Sequence, residues 1–160
     1  MRVILVRHSK AAHGPWADAD RPLTPAGEAL AADVAAGLAK LEPDVTRVVT
    51  SPAVRARDTG EILAQAWEIE KVTVDEDLAI GGNLERAVAR LLAGKPGSSV
   101  VAVGHAPDLA VLTSMILGAP VSVRFECGGA ACIEVEPQSG EGGELEWAMG
   151  PEAIAALGES

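Results

Sequence analysis

Arg2-Val3-Ile4-Leu5-Val6-Arg7-His8-Ser9 and, far along the chain, Ser99-Val100-Val101-Ala102-Val103-Gly104-His105 are the stretches whose reading decides the fold. In each, an apolar strand-like run gives way to a polar loop at a histidine. If the two runs lie parallel in one sheet, both histidines emerge at its carboxyl edge, where open α/β sheets place their ligands. One such histidine alone is most simply a satisfied core group. Two among the chain's three histidines point instead to a site.

Working outward, strands alternate with helices through the first three quarters of the chain. After a polar, Asp-rich loop at 11–23, Thr24-Pro25 reads as an N-cap followed by proline at the first helical position. Leu30, Val34, Leu38 and Leu41 then recur at helical spacing, and Pro43 ends the helix. A second strand covers 45–50. Ser51-Pro52 repeats the cap-and-proline signature and opens a helix to about Trp67 that buries Ile62, Leu63 and Ala66. A short third strand is expected at 72–74. Gly81-Gly82 breaks the chain before an amphipathic helix carrying Leu84, Val88, Leu91 and Leu92, which Gly94 and Pro96 stop. The strand ending at Gly104 follows, then a helix over 107–117 with Gly118 as its C-cap. Three short antiparallel strands are expected at 121–126, 130–136 and 144–149, joined by Gly-rich turns. The fold class is therefore α/β: a three-layer sandwich with a mostly parallel central sheet flanked by helices, and antiparallel strands near the C-terminus. With no internal repeat and no long linker, residues 1–160 read as a single domain.

Composition narrows the partners. Hydrophobic residues make up 48% of the 160 positions, enough for a real core, but aromatic residues only 2%, so Ala, Val and Leu must do the packing. A formal net charge of -10 argues against nucleic acid and anionic membrane surfaces, which attract clustered Lys and Arg. An anionic substrate must therefore meet locally concentrated positive charge. No signal peptide is expected, and no apolar run approaches the roughly 20 residues that span a bilayer, so a cytoplasmic location is expected. Cys127 and Cys132 lack the companions of a zinc site. They either pair across a hairpin or stand as free thiols, and a reducing compartment favours the second.

The chemistry concentrates in the loops at one edge. In Arg7-His8 a guanidinium beside an imidazole favours the neutral, nucleophilic form, and arginine's planar fork of donors suits phosphate oxygens. The pair suggests attack on a phosphoryl group, against the plainer alternative of a surface Arg-His pair. In Ser51-Pro52-Ala53-Val54-Arg55-Ala56-Arg57-Asp58-Thr59 a strand turns into a helix, and Arg55 in the first turn adds its charge to backbone N–H groups that attract anions. Arg57 faces elsewhere. The alternative is that both arginines solvate the helix or pair with Asp58 and Glu61. His105, after the small Gly104, can stabilise charge developing on a transferring phosphoryl group. Arg21, just before the first helix, can reach the same edge, or remain a solvated loop residue. His13 reads as a loop residue.

Together these segments resemble the histidine phosphatase superfamily, also called phosphoglycerate-mutase-like, and most closely its small phosphohistidine phosphatases of the SixA type. The resemblance rests on Val6-Arg7-His8-Ser9, Arg21-Pro22-Leu23-Thr24-Pro25-Ala26-Gly27, the segment 51–59, and Val103-Gly104-His105-Ala106-Pro107. Their order and spacing cover about residues 1–117. The resemblance implies a metal-independent hydrolase without cofactor. His8 would be the nucleophile that becomes a phosphohistidine, which water then hydrolyses. Arg7, Arg55 and His105 would hold the nonbridging oxygens, with Arg21 a further phosphate- or substrate-binding residue. The implied substrate is phosphohistidine in a signalling or phosphotransfer protein. A small phosphate ester is a second possibility, and a catalytically weak module that binds phosphorylated partners is a third.

Two departures from the family pattern matter. The usual Arg-His-Gly reads Arg-His-Ser here, so Ser9 is expected to narrow the pocket or add a hydrogen bond to the bound group. Larger relatives carry an inserted helical cover with a carboxylic general acid, whereas this chain passes from its third strand to the next helix through 75–83 alone. An open site suits a phosphorylated side chain on a folded partner. Asp77 is the candidate general acid there, or one of three acidic residues on a solvated loop. The oligomeric state is not readable from the sequence.

Overall fold

Val3, Ile4, Leu5 and Val6 are all fully buried in the computed structural model, which describes residues 1–159. A strand with no solvent-facing side belongs at the centre of a sheet covered on both faces. That strand, β1 (Arg2–Arg7), joins β2 (Val45–Thr50), β3 (Thr73–Val74), β4 (Ser99–Gly104), β5 (Ala130–Glu134) and β6 (Glu144–Met149) in the order β3-β2-β4-β1-β5-β6. β1, β2, β3 and β4 run parallel, while β5 pairs antiparallel with both β1 and β6.

Alternation along the strands divides the core in two. Ile4, Val6, Val101 and Val103 face α1 (Pro25–Leu41), α2 (Val54–Ala66) and α5 (Pro151–Gly158), where they meet Val34, Leu38, Leu63 and Ile154. Val3, Leu5, Val100 and Ala102 face α3 (Leu84–Leu92) and α4 (Ala106–Leu117), where they meet Leu91, Leu109 and Leu112. This is the expected three-layer sandwich. The Thr24 hydroxyl accepts from Gly27 N at 2.9 Å and caps α1, and Gly118, at φ 71°, turns the chain out of α4. No helix among the described residues is long and apolar enough to cross a membrane.

Three expectations need correction. Residues 121–126 form no strand. The Val121-Val123-Phe125 alternation is real, but Phe125 is buried under α3 and α4, its carbonyl accepts from Arg7 Nη1 at 2.9 Å, and Val121 pairs with the Ser114 hydroxyl. The segment is held by side chains rather than by a ladder. Second, α2 begins at Val54 with Ala53 at the cap position, not Ser51. Third, the sequence reading includes no helix after β6. Gly150-Pro151 opens α5, whose Ile154 is fully buried beside α1. Cys127 and Cys132 are both free thiols.

Gly37 shows how closely α5 docks, because a Cβ at this position would run into the Ile154 carbonyl oxygen. In an exposed helix Gly→Ala gains about 1 kcal/mol. Here we expect Gly37→Ala to lower stability by about 1–3 kcal/mol, or about 2–4 °C in Tm for each kcal/mol. Thermal unfolding followed by circular dichroism checks this, and a raised midpoint would contradict the docking of α5.

Candidate active site

Parallel pairing of β1 with β4 sets Arg7 opposite Gly104, so the next residue on each strand is a histidine. His8 N donates to Gly104 O at 3.0 Å, which fixes the two strand ends at one level. The imidazole centroids are 5.4 Å apart with the planes tilted by 58°. Both rings are buried, at 8% exposure for His8 and 3% for His105.

The Ser9 carbonyl defines the tautomer of His8, whose Nδ1 lies 2.7 Å from Ser9 O. A carbonyl only accepts, so Nδ1 carries the hydrogen and the lone pair stands on Nε2. His105 Nε2 lies 2.9 Å from the Ser51 hydroxyl, which donates or accepts, and Arg55 Nη2 stands 3.5 Å from its Nδ1. Burial is the main cause that pushes both imidazole pKa values down, to about 4. For His8 it is opposed by the Ser9 carbonyl and reinforced by Arg55, His105 and Arg7; for His105 the Arg55 charge comes next. At neutral pH both rings are uncharged, which leaves His8 Nε2 able to act as a nucleophile.

The arginines supply the positive charge. Arg55 projects from the first turn of α2 and is 2% exposed, its Nη1 donating to Asp18 O at 2.7 Å and its Nη2 to Asp18 Oδ2 at 3.1 Å. Arg7 leaves the end of β1 and is steadied by the Phe125 carbonyl. Nε of each is buried without a hydrogen-bond partner among the described residues. Buried guanidinium donors without an acceptor mark a place suited to an anion. A cleft lined by Asp18, Pro52, Arg55, Ile80 and His105 opens beside the group, and its lining does not include His8 or Arg7.

Other candidates are placed differently. Ser9 is buried and does not line the cleft. Its hydroxyl donates to Gly27 O at 2.7 Å, and its N donates to the Thr59 hydroxyl at 2.9 Å. Thr59 in turn donates to Arg55 O at 2.8 Å, so Ser9 ties β1 to α1 and to the turn that carries Arg55. Arg21 is turned onto its own loop, donating through Nε to Asp18 at 3.2 Å and through Nη1 to Ala12 O at 3.3 Å, with His13 Nδ1 at 3.4 Å. Arg57 is exposed. Asp77 does not fit a proton donor. Its carboxylate is engaged by Arg90 and Arg86, and the hydrogen bond from Arg90 is the main cause that holds its pKa below the usual carboxylate value.

Two site residues escaped sequence reasoning. Ser51 reads as a helix cap, yet it follows the strand beside β4, where its N donates to Val103 O at 2.9 Å and its hydroxyl reaches His105. Asp18 belongs to a loop closed by the Ala11–Leu23 bridge, a non-local contact that no local pattern announces.

The lowered histidine pKa values carry a consequence for stability. In the unfolded chain these groups titrate near 6.5, and in the fold near 4. Between those values the unfolded state binds more protons, so stability is full above about pH 7 and falls as pH drops from 6.5 toward 4. Proton NMR titration should show the imidazoles of His8 and His105 still neutral at pH 5.5. Midpoints near 6.5 for these two histidines would contradict the buried geometry.

Known proteins share this sequence pattern and this fold. The family description "Histidine phosphatase superfamily (branch 1)" matches residues 3–79. An uncharacterized protein of Picosynechococcus sp. is 40% identical over 113 residues, 68% of each chain. The phosphohistidine phosphatase SixA of Escherichia coli is 27% identical over 154 residues, 94% of each chain. The solved structure of the protein histidine phosphatase SixA complexed with tungstate superposes with a TM-score of 0.88 at 25% identity, covering 96% of this chain and 99% of that one. The chain belongs to the histidine phosphatase superfamily and is of its SixA type.

Proposed function

We propose that this protein hydrolyses phosphohistidine on a signalling or phosphotransfer protein, through a phosphoryl group carried on its own His8. Family membership supports the coarser statement, a phosphatase. The finer one rests on a single observation: a neutral imidazole with its Nε2 lone pair available, 5.4 Å from a second imidazole and electrostatically coupled to two arginines.

His8 Nε2 attacks phosphorus, and the bond from phosphorus to the substrate's imidazole nitrogen breaks. A phosphoimidazole protonated on its other nitrogen leaves as neutral imidazole, so the reaction does not require a strong acid from the enzyme. This suits the engagement of Asp77 by Arg86 and Arg90. Water then attacks the phosphorylated His8, the N–P bond breaks and inorganic phosphate departs. In both halves Arg7 and Arg55 would donate to the equatorial oxygens, joined by His105 Nδ1–H when its Nε2 accepts from the Ser51 hydroxyl, and such prearranged donors lower the barrier as charge spreads over them. Ser51 would keep the His105 ring oriented. The SixA relative's complex with tungstate, a tetrahedral oxyanion, supports an oxyanion site in this fold. A phosphorylated protein side chain suits the cleft because Ile80, at 62% exposure, forms part of its open rim.

Incubation with labelled phosphoramidate should give an acid-labile label on the wild type and none on His8→Ala. Label retained by His8→Ala would overturn the assignment of the nucleophile. We expect His105→Ala to lower kcat by about 10²–10³-fold, the usual effect of losing one transition-state donor. Asp77→Asn should stay within about threefold. Turnover of a phosphohistidine protein beside a panel of small esters checks the substrate class, and faster turnover of an ester would contradict it.

A further inference from the structure

Asp18 is a carboxylate that touches the site through Arg55 and that this line of chemistry leaves without a role. Its Oδ2 accepts from Arg55 Nη2 at 3.1 Å, and its main-chain carbonyl accepts from Arg55 Nη1 at 2.7 Å. Its Oδ1 accepts from Arg21 Nε at 3.2 Å and pairs with Arg21 Nη2 at 3.1 Å. One carboxylate thus bridges two guanidinium groups. The Asp18 side chain is 65% exposed and that of Arg55 only 3%, so the carboxylate reaches the arginine from the solvent side. Asp18 also lines the cleft beside His105.

Two effects follow from this placement. Arg21 is occupied on Nε and Nη2 by Asp18 and on Nη1 by Ala12 O. An arginine fork near a phosphoryl site would otherwise suit a second anionic group on the same ligand. The exposed carboxylate also sets a negative charge at the cleft, which repels such a group directly. Arg55 holds the Asp18 carboxyl below the usual range, so it is ionised at neutral pH. The main-chain carbonyl contact is independent of the side chain, and Arg55 keeps that anchor when the side chain changes.

We propose that Asp18 is a specificity-determining residue: it masks Arg21 and turns away phosphorylated ligands that carry a second anionic group close to the phosphoryl. The site is left to phosphoryl groups borne on neutral or cationic carriers, as an imidazole is. As a statement about substrate choice this rests on the phosphatase reading above, but the charge discrimination is a binding property that needs no turnover.

Three two-carbon phosphate monoesters test it: phosphoglycolate with a carboxylate, ethyl phosphate with neither charge, and phosphoethanolamine with an ammonium. Their binding to the full-length protein and to Asp18→Asn is measured by calorimetry, with inorganic phosphate as reference. The wild type should prefer phosphoethanolamine, then ethyl phosphate, then phosphoglycolate. In Asp18→Asn the affinity for phosphoglycolate relative to ethyl phosphate should rise about tenfold, as expected for removing a unit charge several ångströms away. The gain should shrink in high salt and be lost again in Asp18→Asn/Arg21→Gln. An unchanged ratio in Asp18→Asn, or equal weakening of all ligands, would overturn the proposal while leaving the phosphate site intact. Failure of inorganic phosphate to bind either protein would overturn the phosphatase reading and this inference with it.

Discussion

Six residues of β1 pair in parallel with six of β4, from Arg2 opposite Ser99 to Arg7 opposite Gly104, and the rest of the site depends on that register. Because successive side chains alternate between faces, a slip of one residue would exchange the two halves of the core and separate the histidines by a step along the sheet. The burial of Val3, Leu5, Ile4 and Val6 against different helix layers excludes the slip. Gly104 completes the constraint, since a Cβ there would come within 3.3 Å of Leu109 where α4 begins to pack. Core packing therefore sets the distance between the imidazoles.

The same burial sets their charge. A histidine in water is half protonated near pH 6.5, but these rings are enclosed by sheet and helix and flanked by guanidinium groups, and both effects disfavour the imidazolium. Positive charge in the site thus comes from arginine, which stays charged when buried, and nucleophilicity from histidine, which does not. In a chain with net charge -10 this local cationic ground is the exception, and it is built from Arg7 and Arg55. Asp18 balances part of it through contacts on both Arg55 and Arg21.

Much of this was legible in the residues themselves. Apolar runs ending in His8 and His105, proline at the start of α1 and glycine at the end of α4 are local signals, and local signals specify strands, caps and stops. What was not legible depended on competition between partners. The 121–126 segment has strand alternation, but Arg7 claims the Phe125 carbonyl and Ser114 claims Val121. Ser51 has the chemistry of a cap, but a buried imidazole from the neighbouring strand takes its hydroxyl. Ser9 and Asp77 stand at sequence positions that suggest the pocket, yet one is drawn to the Gly27 carbonyl and the other to two arginines of α3. The helix after Met149 was not read from the sequence, and its place in the fold rests on a non-local contact, the close approach of Ile154 to Gly37.

The central claim is that His8, His105, Arg7 and Arg55 converge on one tetrahedral oxyanion. A crystal structure of this protein with bound tungstate tests it most directly. The account predicts the tungsten within bonding reach of His8 Nε2, its oxygens accepting from both arginines and from His105. Tungstate bound elsewhere, with the His8 ring facing no oxyanion, would contradict it.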